Sequence, residues 1–263
     1  DNLEIALQIF GETKAKNPPA YYRKIHELSA YLRNKANKET EEEATKLKSK
    51  ARELMESARR ENPAAFYSNK LNVNELISLC DNQIDKKIEI HEEFRKTQEA
   101  SFWDASDHKP PFERLAELYL EQSKVDSSAR NNALALINEI KTQKVEFYNK
   151  KVYLYAFGLY LQKEHRNPES AVAMLEEVKI NSPQSFFQED ENVTTLAKLY
   201  EEQQDNNKVI ALYEESRSAN PDLFWNDKYS PIYESLFHFL MKTGKTEKAI
   251  AILEEAKIAS RQF

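Results

Sequence analysis

Cysteine and glycine are nearly missing from this chain. The one cysteine, Cys80, excludes an internal disulfide framework and a zinc site built on several thiolates. A lone thiol suits a reducing, intracellular compartment, cytoplasm or organelle matrix alike. Three glycines in 263 residues leave nothing from which to build a glycine-rich phosphate loop. No run of 18 apolar residues occurs, so no transmembrane helix is expected. A basic excess is also lacking: the net charge of −6 argues against a large phosphate-binding surface. The five histidines, His26, His91, His108, His165 and His238, are scattered and form no metalloprotease-type pair, and no nucleophile elbow is present. The expectation is a non-enzyme without cofactor or metal. The best metal candidate, Asp104 and Asp107 with His108, reads as a helix-capping loop. Cys80, in the apolar stretch "ELISLC", reads as a small core residue.

What the chain does contain is helix. Charged residues make up 31% of it, and Glu, Lys, Ala and Leu lose little freedom in a helix. Alternating β-branched segments are few and short. The fold class expected is all-α.

One motif recurs. "NPPAYY" at 17–22, "NPAAFY" at 62–67, "SPQSFF" at 182–187 and "NPDLFW" at 220–225 share a Pro-x-x-aromatic-aromatic core. "EASFW", ending at Trp103, and "KVEFY", ending at Tyr148, keep the aromatic pair and lose the proline. A small–large–small stripe precedes the motif: Ala6, Phe10 and Thr13; Ala51, Met55 and Ala58; Ala171, Leu175 and Val178; Val209, Tyr213 and Ser216. Spacings of four and three put these residues on one helix face, where small side chains admit a close neighbour. Proline five residues later ends the helix, because it has no N–H and biases the residue before it away from αR.

Second aromatics stand 36 to 45 residues apart, room for two helices and two short connections. Helix pairs are expected over 21–61, 68–100, 111–143, 149–180, 190–219 and 229–260, with a lone second helix at 3–16. Within each pair we term the helices A and B. Asn167 followed by Pro168 predicts a helix start, and Gly244 predicts a left-handed stop. The aromatic pairs lie where B hands over to the next A. They serve either as joints, each buried ring worth about 2–3 kcal/mol, or as exposed rings that stack RNA bases or grip a peptide.

Leu196, Ala197, Tyr200, Val209, Tyr213, Ser216 and Pro221, followed by Leu236, Leu240, Gly244, Ala249, Leu253 and Ala256, carry a resemblance to the tetratricopeptide repeat. Phe237 stands where that family usually has a small residue, and the repeats run longer than the family's. The handover from helix B to an aromatic-led helix A is also similar to the pentatricopeptide class. The resemblance implies a single domain over 1–263, a right-handed α-α superhelix (solenoid) of about six antiparallel pairs. The chain opens on a B helix without its A and closes where the next aromatic joint would fall, so a longer solenoid is expected.

The family's partners are peptides or helices laid on a concave face. The matching positions here are Lys163, Lys198, Glu201, His238 and Lys242, and the implied function is a protein–protein interaction scaffold or adaptor. Two alternatives stand beside it. One is an organellar factor binding single-stranded RNA, read from the polar residues after the aromatic pair, Ser68, Asn149 and Asn226. The other is a structural subunit of a large assembly.

Overall fold

The computed structural model describes residues 2–126, 128–160, 168–225 and 232–259. Among the described residues every long element is an α-helix and no strand occurs. The chain divides into two compact units, residues 1–122 and 123–263, and the pair expected over 111–143 contributes one helix to each.

The first unit holds α1 (Asn2–Lys16), α2 (Pro18–Ala36), α3 (Glu41–Glu61), α4 (Pro63–Tyr67), α5 (Lys70–Ser78), α6 (Ile84–Thr97), α7 (Glu99–Phe102) and α8 (Pro111–Gln122). Helix α2 packs on α1, α3 and α5, and α6 packs on α5 and α8. The second unit holds α9 (Ser128–Gln143), α10 (Val145–Tyr160), α11 (Pro168–Asn181), α12 (Pro183–Phe186), α13 (Asp190–Glu202), α14 (Asn206–Ala219), α15 (Pro221–Trp225), α16 (Ile232–Lys242) and α17 (Thr246–Ala259). Helix α10 packs on α9, α11 and α13; α13 on α14 and α16; α16 on α14 and α17. A helices thus lie beside A helices within each unit.

The aromatic motif builds the joints. The proline expected to end helix B also begins a helix, and one residue serves both ends. Asn62 donates its N–H to the Ala58 carbonyl at 3.1 Å, closing α3, while its Oδ1 accepts from the Ala65 N–H at 3.1 Å, opening α4. Asn17 and Asn220 do the same with Ala20 and Leu223. Asn17, Asn62, Ser182 and Asn220 share φ near −145° to −148° and ψ of 58° to 77°, the non-helical region that a following proline favours. The rings then fold inward. Phe66, Tyr67, Phe102, Trp103, Phe186, Phe187 and Phe224 are buried. Within these pairs the rings meet edge to face at 4.7–5.2 Å, the geometry that ring quadrupoles prefer. The doublets are joints rather than an exposed ladder. In the first unit the rings run on continuously from Phe66 through Tyr67, Phe94, Phe102 and Trp103 to Phe112.

Polar contacts fix the register between successive repeats. A cation near the end of α1, α3, α9, α11 and α14 reaches a glutamate on the next B helix. Lys14 pairs with Glu61 at 2.7 Å, Arg59 with Glu89 at 2.7 Å, Lys141 with Glu177 at 2.7 Å and Lys179 with Glu215 at 2.8 Å; Arg217 pairs with Glu255. Apart from the one made by buried Arg59, rungs of this kind contribute about 0–1 kcal/mol each, so they set alignment more than stability. Buried Asn72 and Asn192 each grip one turn of the neighbouring A helix. The Asn72 amide donates to the carbonyls of Tyr22 and Phe66 and accepts from the His26 N–H. The Asn192 amide donates to those of Asn149 and Phe186 and accepts from the Tyr153 N–H.

Three A-to-B turns place one residue in the left-handed region: Asp81 (φ 41°), Gln204 (φ 60°) and Gly244 (φ 73°). The last is the stop expected from sequence. The Lys245 N–H bonds the Leu240 carbonyl at 2.8 Å and the Gly244 N–H bonds the Met241 carbonyl at 3.2 Å, a Schellman closure. A Cβ on Gly244 would meet no atom within 4 Å, so only backbone strain opposes it. Gly244→Ala is expected to destabilise the second unit by about 1 kcal/mol, and Gln204→Gly to stabilise it by about 0.5–1 kcal/mol. Urea titrations followed at Trp225 would check both.

Candidate functional site

The second unit presents a groove of about 280 Å³ across three neighbouring A helices. Helix α10 supplies Phe157 and Tyr160; α13 supplies Thr195, Lys198, Leu199, Glu201 and Glu202; α16 supplies Lys242. Residues 195, 198, 199 and 202 share one face of α13 by the spacing of three and four. That helix buries Val193, Leu196, Ala197 and Tyr200 on its other side and Leu199 at the groove's floor, which leaves Thr195, Lys198 and Glu202 as the polar stripe. Phe157 keeps 41% of its surface exposed although its ring lies 6.1 Å from that of Tyr160. The Tyr160 hydroxyl donates to a Glu202 carboxylate oxygen, and Lys242 donates to Glu201 at 2.9 Å. Lys198 is exposed and makes no ion pair among the described residues.

Three of the five positions carried by the family resemblance, Lys198, Glu201 and Lys242, therefore line one groove. His238 is exposed on α16 one turn before Lys242, with its ring 5.4 Å from Phe237, and does not line it. Lys163 lies outside the described residues, as do Asn167 and Asn226. The rest of the groove, Phe157 and Tyr160 above all, escaped the sequence reading. The signal was available: "YAFGLY" puts Phe157 and Tyr160 three residues apart on α10, the A helix of the pair before α13.

A larger cleft, about 520 Å³, lies in the first unit. Ile84, Lys87 and His91 come from one face of α6, and Arg114, Glu117, Leu118 and Glu121 from one face of α8; Ile77, Asp81 and Asn82 close one side. His91 is 2% exposed, and its Nδ1 has no hydrogen-bond partner. Burial, and after it the Arg114 guanidinium, pushes its pKa down to about 3, so the ring is neutral at physiological pH. Arg114 is held by the Lys109 carbonyl at 3.0 Å and Asn74 Oδ1 at 2.8 Å, and Glu117 pairs with Lys109 at 2.5 Å.

The acidic loop after Trp103 is occupied by the protein itself. Lys70 donates to Asp104 at 2.8 Å and to Asp107 at 3.1 Å, and Asp104 accepts from the Ser106 N–H at 3.0 Å. Among the described residues no three His, Cys, Asp or Glu side chains gather as a metal site. Cys80 is fully buried, its thiol donates to the Leu76 carbonyl, and burial raises its pKa. No helix among the described residues is long and apolar enough to cross a membrane. Comparison with protein-family models and with curated proteins finds no match to this chain.

Proposed function

We propose that the chain is a non-catalytic protein–protein interaction scaffold of the tetratricopeptide-like kind. Its helix pairs wind as right-handed turns of an α-solenoid, and the groove over α10, α13 and α16 takes an extended peptide or a partner helix. The observation that supports this reading is the meeting of Lys198, Glu201 and Lys242, three residues from two A helices, beside the half-exposed ring of Phe157. An apolar anchor flanked by fixed charges of both signs suits a peptide with an apolar residue next to an acidic one. The ring gives area, and Lys198 gives orientation and on-rate.

No observation favours the RNA reading. Asn149 is 8% exposed and donates to Ser182 Oγ at 2.9 Å, while Ser68 Oγ donates to the Ala65 carbonyl at 2.7 Å. The Asn149 side chain is not left open to a base, while Ser68 is exposed with its hydroxyl turned back onto its own helix. Selection from a displayed random-peptide library against the full chain is the test. Ligands that bind this groove should weaken about tenfold or more, about 1.4 kcal/mol, on the double change Lys198→Glu, Lys242→Glu and also on Phe157→Ser. Lys87→Glu, in the other unit, should leave them unchanged. Selected peptides indifferent to all three groove changes would remove the site from the proposal.

A further inference from the structure

Arg114, on α8 in the first unit's cleft, is held by neutral acceptors alone. The Lys109 carbonyl accepts from its Nε at 3.0 Å, and Asn74 Oδ1 accepts from its Nη1 at 2.8 Å. Among the described residues no carboxylate pairs with it. Its Nη2 has no hydrogen-bond partner there and, unlike the Nδ1 of His91, keeps accessible surface. A guanidinium fixed in orientation by neutral groups, with its outer nitrogen open, suits a carboxylate. Lys87 is the cleft's second cation. It is half-buried, and its ammonium makes no ion pair and is open as well. Glu117, three residues past Arg114, is already neutralised by Lys109 at 2.5 Å. Burial lowers the pKa of His91 and Arg114 lowers it further, so the positive field of Arg114 reaches the cleft floor.

The rest of the cleft is an apolar wall with a direction. Gln122 donates to Asp85 at 2.6 Å and Tyr119 donates to Glu92 at 3.0 Å, so α8 runs antiparallel to α6. The wall starts at Leu118, one turn beyond Arg114, and ends at Ile84, the first residue of α6, with Ile77 of α5 beside it. Lys87 adds its methylene stem to that wall. Glu121 has contacts of its own, and Asp81 lies in the turn before α6; neither takes part. At about 520 Å³ the cleft has the volume of a small-molecule site. We propose that it binds a medium-chain monocarboxylate, the head on Arg114 and the alkyl tail along Leu118, Ile77 and Ile84. An extended eight-carbon chain spans about 10 Å, the rise of seven residues of α8. It therefore reaches from Arg114 to the level where Gln122 meets Asp85, next to Ile84. Two cations without counter-charges set the sign of the head, and the wall sets the apolar body. This site is independent of the groove in the second unit.

The probes are octanoate, 1-octanol, butyrate and N-acetylleucine. The first has both head and tail, the second lacks the charge, the third lacks the tail, and the fourth imitates the end of a peptide. The readout is the Ile84 methyl resonance in NMR spectra of the full chain, assigned by its loss in Ile84→Val. Octanoate should shift it saturably with a Kd of about 1 mM or tighter. Octanol, butyrate and N-acetylleucine should each bind about tenfold more weakly or not at all, a difference of about 1.4 kcal/mol. Arg114→Gln should bring octanoate down to the level of octanol. Leu118→Glu supplies Arg114 with a carboxylate from one turn away and should abolish octanoate binding. It leaves the Arg114 bonds to Asn74 and Lys109 in place, so it keeps the test valid if Arg114→Gln fails to fold. No saturable shift, octanol equal to octanoate, or undiminished octanoate binding in either folded variant would overturn the proposal. N-acetylleucine binding more tightly than octanoate would overturn it too, because the cleft would then read a peptide end.

Discussion

Tyr67→Ala should destabilise the first unit by about 3–5 kcal/mol, in the range of a fully buried large aromatic truncated in a packed core. Tyr67 has no exposed surface. Its ring meets Phe66 edge to face at 5.2 Å and stacks on Phe94 at 5.9 Å, and its hydroxyl donates to Glu93 at 2.9 Å. Truncation removes the ring where α4 joins α3 to α5 and leaves a cavity walled by other rings, which cannot collapse far. It also strips a partner from Glu93, which lies 3.2 Å from the buried guanidinium of Arg59. Tyr67→Phe keeps the ring and should cost about 1–1.5 kcal/mol, the hydrogen bond alone. The chain has two tryptophans, Trp103 and Trp225, one in each unit. In a Trp225→Phe background, urea unfolding followed at Trp103 reads the first unit by itself, and Trp103 belongs to the same run of rings as Tyr67. The measurement also separates the two uses of the doublet. A ring held outward for a ligand would cost less than about 0.5 kcal/mol to truncate.

Local rules carried the helices. The B helices that close the pairs expected over 149–180 and 190–219 are Pro168–Asn181 and Asn206–Ala219, because apolar spacing, an initial cap and a closing Asn or Ser all agree there. The largest displacements are at the aromatic joints. The expected A helices at 21 and 149 begin at Pro18 and Val145, because there the doublet runs on into α2 and α10. The doublets of α4, α7, α12 and α15 form a single turn of helix of their own, which the one-residue cap at Asn62 or Asn220 permits.

Side chains whose partner lies a whole repeat away were not legible. Asn72 and Asn192 each stand five residues after the second aromatic, yet only the fold shows that their amides grip the preceding A helix. The rungs between B helices had a visible signature that went unread. Glu177-Val178-Lys179, Glu215-Ser216-Arg217 and Glu255-Ala256-Lys257 flank the small residue of the stripe with opposite charges, so each helix offers an acid backward and a base forward. For the groove, the family resemblance named Lys198, Glu201 and Lys242 but not the apolar wall, because Phe157 sits in a helix whose pattern is apolar nearly all round. His91 falls between Ile88 and Phe94 on the buried side of α6. The periodicity places it inside; only the structure leaves its nitrogen without a partner.

That buried histidine makes acid sensitivity the other large expectation. In the unfolded chain an imidazole titrates near 6.5; in the fold, burial and Arg114 hold His91 down at about 3. A base whose folded pKa is depressed is protonated more readily when unfolded. Its contribution to stability is therefore complete above 6.5 and drains away as the pH falls from 6.5 toward 3. The slope is about 1.4 kcal/mol per pH unit, so the first unit should lose roughly 2–3 kcal/mol by pH 4.5. The charged groups around the ring on both packed elements are Lys87 on α6 and Arg114, Glu117 and Glu121 on α8. Glu61, whose pKa Lys14, Ser57 and Tyr22 pull down to about 2, costs stability only below about 4.5. Asp190, pushed up by burial and by neighbouring Glu191, works in the opposite sense, but it belongs to the second unit. Urea midpoints read at Trp103 between pH 7 and pH 4.5, with and without His91→Phe, isolate the effect. The substituted protein should show a nearly flat profile where the parent falls, and it should be the more stable of the two at pH 4.5. Parallel profiles would mean that the ring already accepts a proton in the folded state, and that its surroundings are wetter than a neutral, partnerless imidazole requires.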